Sequence, residues 1–96
     1  MTSLSTHVLD TGRGSPAAGV RVELFRGDEA VAAGETNSDG RIGELATGLD
    51  PGEYRLVFHP PSPFFARVDL TLRLGEGHYH VPLLVSPYGC ATYRGS

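Results

Sequence analysis

The sequence predicts an all-β domain, a two-sheet β-sandwich of seven or eight strands. Two observations lead there. Thirteen Gly and seven Pro punctuate the 96 residues about every ten positions, which is the turn spacing of a sandwich. Between these breaks the apolar residues recur with period two, so one face of each segment meets a core and the other meets water.

Taken in chain order, a first strand is expected at Ser5–Asp10. Val20, Val22 and Leu24 then alternate with Arg21 and Glu23, and a further strand is expected at Ala30–Glu35. Asn37-Ser38-Asp39-Gly40 is a turn, because Asn, Asp and Gly tolerate the positive φ that tight turns demand. A short strand follows at Ile42–Leu45, and Asp50-Pro51-Gly52 makes the next turn. Tyr54, Leu56 and Phe58 alternate with Arg55, Val57 and His59, which are placed on the wet side. Pro60-Pro61-Ser62-Pro63 cannot lie inside a helix, since each proline removes a donor and clashes with the preceding turn. The clearest alternation is Ala66, Val68, Leu70, Leu72 and Leu74 against Arg67, Asp69, Thr71 and Arg73. A last short strand is expected at Ala91–Tyr93.

The segment His78–Val85 departs from this half-wet pattern. Tyr79, Val81, Leu83 and Val85 share one face, and the other carries His78, His80, Pro82 and Leu84. A strand apolar on both sides is usually covered on both sides. In a two-sheet domain the second cover would be another subunit. The single domain, residues 1–96, is also small. A chain of this length buries only about 60–65% of its unfolded surface, and oligomerisation is a common remedy.

The formal charge is −3, and all eight basic residues are scattered arginines. Phosphate binding needs clustered cations, so no nucleic-acid partner is expected. No segment approaches the roughly 18 apolar residues of a membrane span, and no cationic start precedes an apolar run at the N-terminus. The lone Cys90 leaves no internal disulfide and no cysteine-based metal site. A soluble, cytoplasmic protein is the expectation.

Four histidines could carry chemistry. His7 lies inside a strand beside Val8, where a half-buried ring satisfied by the backbone is the plain alternative to a functional one. His59 precedes Pro60 at a strand end and suggests less. His78 and His80, two apart on a strand, point the same way and could bind a metal, but only Glu76 stands near in sequence, and no metal is expected. Arg41, just after the Asn37–Gly40 turn, would sit at the rim of the sandwich. The aromatic tail from Ser86 to Ser96 reads as a segment tied down to the body. There is no Gly-rich phosphate loop and no nucleophile elbow. These features alone describe an oligomeric β-sandwich with a candidate histidine site.

Two blocks resemble the 5-hydroxyisourate hydrolase family, relatives of transthyretin. One is Leu4-Ser5-Thr6-His7-Val8-Leu9-Asp10-Thr11 with Gly14-Ser15-Pro16-Ala17-Ala18-Gly19-Val20. The other is His78-Tyr79-His80-Val81-Pro82-Leu83-Leu84-Val85-Ser86-Pro87-Tyr88-Gly89, closing with Thr92-Tyr93-Arg94-Gly95-Ser96. Asn37–Arg41 and Gly52–Phe58 fit the same pattern, so the resemblance spans the chain. The Tyr-Arg-Gly-Ser end is its most specific part, because it separates these hydrolases from hormone-carrying transthyretins. The resemblance implies a transthyretin-like sandwich, a homotetramer and sites between subunits. It implies that His7, Arg41, His80 and Ser96 are catalytic and that Tyr93, Arg94 and Gly95 bind substrate.

The chain departs from the family in two places. Cys90 and Ala91 stand where an aromatic residue and Ser are usual. Only Pro60–Phe64 fills the gap in which the family has a short helix, so that helix looks deleted.

The reaction implied is opening of the ring of 5-hydroxyisourate by water, giving 2-oxo-4-hydroxy-4-carboxy-5-ureidoimidazoline in urate breakdown. Water needs a base as it attacks, and a histidine near neutral pKa suits that work. His7 or His80 is the base and the other the orienter; the sequence leaves both open. Arg41 would stabilise the oxyanion or hold carbonyls in its fork, and Ser96 would orient a histidine or the water. No cofactor is expected. The rivals are a transthyretin-like carrier of a small ligand, an enzyme for another heterocycle, and a structural sandwich.

Overall fold

The computed structural model describes residues 1–95; Ser96, expected in the site, lies outside the described residues. Among the described residues nine strands form two sheets: β1 (Thr2–Asp10), β2 (Ser15–Pro16), β3 (Arg21–Arg26), β4 (Glu29–Glu35), β5 (Arg41–Leu49), β6 (Gly52–His59), β7 (Val68–Leu74), β8 (Gly77–Ser86) and β9 (Gly89–Thr92). One sheet runs β2-β1-β8-β9, with β5 also paired to β1; the other runs β4-β3-β6-β7. No helix occurs among the described residues.

The core is made by the alternation read from the sequence. Leu4, Val8, Val22, Leu24, Leu56, Phe58 and Leu83 are fully buried between the sheets. Buried hydroxyls are satisfied. Thr6 Oγ1 donates to the Val81 carbonyl at 2.6 Å, and Thr36 Oγ1 donates to the Ala17 carbonyl at 2.7 Å while accepting from Val20 N at 2.9 Å. A buried hydroxyl without a partner would cost about 1–3 kcal/mol.

The parallel pairing of β1 with β8 positions the site. Every residue from Thr2 to Asp10 faces one from Gly77 to Val85 in unbroken register. Leu4, Thr6 and Val8 therefore point inward with Tyr79, Val81 and Leu83, and Ser3, Ser5 and His7 share the outer face with His78, His80 and Pro82.

Several boundaries differ from expectation. β5 extends to Leu49 because its pairing with β1 shifts register twice, and such shifts hide period two. β7 begins at Val68, leaving Ala66 exposed in the connection. Val57, expected in water, is 2% exposed. It lies between Glu23 and Asp69 in the sheet. Those carboxylates are drawn to His59 at 2.6 Å and Arg55 at 2.8 Å, so paired side chains roof it. β6 and β7 are joined by residues 60–67 without a helix. Ser62 Oγ pins this connection by accepting from Phe64 N at 3.1 Å and Phe65 N at 2.9 Å.

Candidate active site

The site begins with the turn at residues 37–40. Asn37 Oδ1 accepts from Asp39 N at 2.9 Å and Arg41 N at 3.0 Å, an Asx arrangement that closes the turn. Gly40 adopts φ +74°, and a Cβ there would run into the Val8 carbonyl oxygen. Gly40 instead accepts from Val8 N through its own carbonyl at 2.7 Å. The turn is thereby fastened to β1, and Arg41 falls opposite His7 in the β1/β5 pairing.

The same turn orients His7, whose Nε2 stands 3.0 Å from the Asp39 carbonyl. A carbonyl only accepts, so Nε2 carries the hydrogen and Nδ1 of the neutral ring holds the lone pair. His80 is held from β1: its Nδ1 is 2.7 Å from Ser5 Oγ. The two rings lie 6.5 Å apart between centroids. The tail reaches the site at Gly95, whose N–H donates to the His80 carbonyl at 2.6 Å. A Cβ on Gly95 would stand 2.7 Å from His80 Cδ2, so only glycine allows this approach. Partial burial, then the charges of His7, Arg41 and His78, hold the His80 imidazolium below its ordinary pKa. His80 is therefore neutral at neutral pH and able to accept a proton.

His7, Arg41, His80 and Gly95 are thus brought together. Tyr93 is exposed, and Arg94 is turned to the other side of the sheet, its guanidinium 4.2 Å from the Tyr79 ring centroid. Both line a cavity of about 390 Å³ with Leu70, Leu72 and Val81. The histidines do not line that cavity, and the chemistry on the outer face identifies the site better than cavity size does. Cys90 and Ala91 lie on β9 against Val85 and Leu84, away from the rings. Among the described residues no three His, Cys, Asp or Glu side chains are grouped to hold a metal ion.

Sequence reasoning missed Ser3, Ser5 and the Asp39 carbonyl. Ser3 and Ser5 share the two-residue spacing of His78 and His80, but that match has meaning only once β1 and β8 are known to pair in parallel.

Fold and site together define a β-sandwich of the transthyretin type that carries two oriented imidazoles and a guanidinium on one outer sheet face. The chain belongs to the HIUase/Transthyretin family, whose model matches residues 4–95. It is 45% identical over 115 aligned positions to 5-hydroxyisourate hydrolase 2 of Rhizobium meliloti, covering 97% of this chain and 95% of that one. An alignment longer than the 96 residues of this chain means that the relative has positions this chain lacks. The structure of Klebsiella pneumoniae 5-hydroxyisourate hydrolase superposes with a TM-score of 0.92 at 40% identity, covering all of both chains. Sea bream transthyretin in complex with thyroxine superposes with a TM-score of 0.84 at 27% identity, covering 96% of this chain and 93% of that one.

Proposed function

We propose that this protein hydrolyses 5-hydroxyisourate, opening the ring to 2-oxo-4-hydroxy-4-carboxy-5-ureidoimidazoline in urate breakdown. The observation that carries the reading is the pairing of His7 and His80 beside Arg41. Each ring has one nitrogen committed to a fixed partner, which leaves the other for chemistry. His80 is the base: its Nε2 takes a proton from water as the oxygen attacks the ring carbonyl. His7 orients the water or the substrate through Nδ1. Arg41 offers its fork to the oxyanion that forms. Ser96 orients a histidine or the water and Gly95, beside His80, binds substrate, while Tyr93 and Arg94, which line the cavity on the other side of the sheet, hold the tail in place rather than the substrate. No metal or organic cofactor enters this scheme.

The working form is a homotetramer with its sites between subunits, in the cytoplasm, where a single free thiol suits a reducing compartment. Two features support the assembly. Among the described residues β7 and β9 both leave an edge unpaired, and they lie on the side of the sandwich opposite the touching strands β4 and β5. Unpaired edges are templates for a second chain. In addition, Pro16, Leu9, Leu84 and Ala91 form a cross-strand apolar row on the outer face that bears the histidines. A subunit laid on that row would wall in an otherwise open site.

The deciding experiment is to generate 5-hydroxyisourate with urate oxidase and follow its ultraviolet decay with and without the protein. Decay no faster than the spontaneous rate would reject hydrolysis. The likeness to a thyroxine-bound transthyretin favours one second reading, a small-ligand carrier. Saturable thyroxine binding by calorimetry, in a protein that leaves 5-hydroxyisourate untouched, would select it.

A further inference from the structure

His80 does not end at Ser5. The Ser5 hydroxyl, which is buried, also stands 2.8 Å from His78 Nε2, and His78 Nδ1 stands 2.7 Å from Ser3 Oγ. The parallel register builds this chain, placing Ser3 beside His78 and Ser5 beside His80 on one face. His80 is half-buried and faces two further positive or ionisable groups, His7 and Arg41, whereas His78 is exposed to water. A proton taken up in the site is better hydrated at the far end of the chain than at the near end.

Proton counting restricts what the chain can do. A hydroxyl has one hydrogen, and a neutral imidazole has one donor nitrogen and one acceptor. If Ser5 donates to His78 Nε2, that nitrogen holds a lone pair and His78 carries its hydrogen on Nδ1. Ser5 then accepts from His80 Nδ1–H, and His80 Nε2 holds the lone pair that a base needs. If Ser5 donates to His80 instead, every bond reverses and both rings carry hydrogen on Nε2. In either sense the two rings have the same tautomer.

We infer that Ser5 and His78 form a proton relay behind His80, with His78 as the positioning residue that sets its tautomer and receives its proton. When His80 Nε2 accepts a proton from water, the Nδ1 proton passes to Ser5 Oγ as the Ser5 hydroxyl proton passes to His78 Nε2. His80 returns to neutral, now with its hydrogen on Nε2. His78 becomes the imidazolium, donating through Nδ1 to Ser3. No bond other than O–H and N–H changes, and the charge moves away from Arg41. The return shift puts a proton back on His80 Nδ1 through Ser5, and the imidazolium so formed delivers its Nε2 proton to the leaving ring nitrogen.

This inference rests on the hydrolase reading for its role in turnover, but its wiring is testable without turnover. Two-bond proton–nitrogen NMR of the uniformly labelled protein, at a pH where both rings are neutral, should show His78 and His80 in matched tautomers. Opposite tautomers, with Ser5 accepting from both rings, would overturn the relay. In the decay assay, Ser5→Ala and His78→Gln should each lower kcat at least about tenfold with KM within about twofold. The His78→Gln amide can keep a bond to Ser5 but cannot pass a proton. Turnover in mixtures of light and heavy water should be bowed for the wild type, with several protons in motion, and linear for both variants. Variants with wild-type kcat and an unchanged bowed plot would also overturn the relay. If the wild type does not turn over 5-hydroxyisourate, the hydrolase reading fails by itself, and the tautomer measurement still decides the wiring.

Discussion

His7 and His80 occupy neighbouring positions on one sheet face, yet their surroundings prepare them differently. A backbone carbonyl fixes which nitrogen of His7 is protonated, whereas His80 meets a hydroxyl that can reverse its sense. Replacing either ring by Asn removes a nitrogen that the proposed chemistry uses, and turnover should fall at least about a hundredfold. Circular dichroism should show both variants folded, since the two rings lie outside the core. The pH profile follows from the charges around His80. Burial and the nearby His7, Arg41 and His78 disfavour its charged form, so the proton leaves at a pH below the ordinary histidine value. Activity should therefore hold through neutrality and fall as pH drops through a midpoint below about 6.5. Measured as kcat/KM, that limb reports the free enzyme. A midpoint above about 7 would mean that another group is the base.

Among the elements, the turn at residues 37–40 governs the site more than any strand does. It fixes Arg41 by capping its amide and His7 by accepting from its ring, so a small shift in the turn moves both together. Gly40 is its weak point. Gly40→Ala must hold a side chain at φ +74° and push against the Val8 carbonyl, at a cost of roughly 1–3 kcal/mol. Gly14 has a similar φ of +70° with open space around it. Gly14→Ala should therefore lose less stability in urea and keep its activity, and Gly40→Ala should lose both. Equal losses in the two variants would show that backbone conformation alone matters. This turn was legible in the sequence as Asn-Ser-Asp-Gly, and so was the alternation that builds β3, β6 and most of β7. The pairing of β1 with β8 was not, because alternation says which face a residue takes and nothing about which strand lies beside it. Ser5 therefore reads in the sequence as an ordinary strand residue, and the spacing of His78 from His80 points only to a metal ligand. β5 reads as a short strand in the sequence because its register shifts break the period.

For the whole molecule, the question is what covers the second face of β8. Inward, Val81, Leu83 and Val85 are buried in the core. Outward, Leu84 stands between Leu9 and Ala91 and is only partly covered by its own chain. The two faces of this strand were readable from His78–Val85 alone, because both sides were apolar. What sequence could not supply was the row across four strands, from Pro16 through Leu9 and Leu84 to Ala91, which turns one residue into a surface. Placing a carboxylate in the middle of that row leaves the core untouched. In the assembled form, however, it would bury an unpaired charge, which costs several kcal/mol. Leu84→Glu should therefore remain a folded β-sandwich by circular dichroism, and light scattering coupled to size exclusion should show it unable to form the proposed tetramer. Because the site is open on a single chain, hydrolysis should be lost with the assembly, although Leu84 contacts neither histidine through the register. A Leu84→Glu protein that is monomeric and fully active would place the whole site within one subunit and refute the shared one.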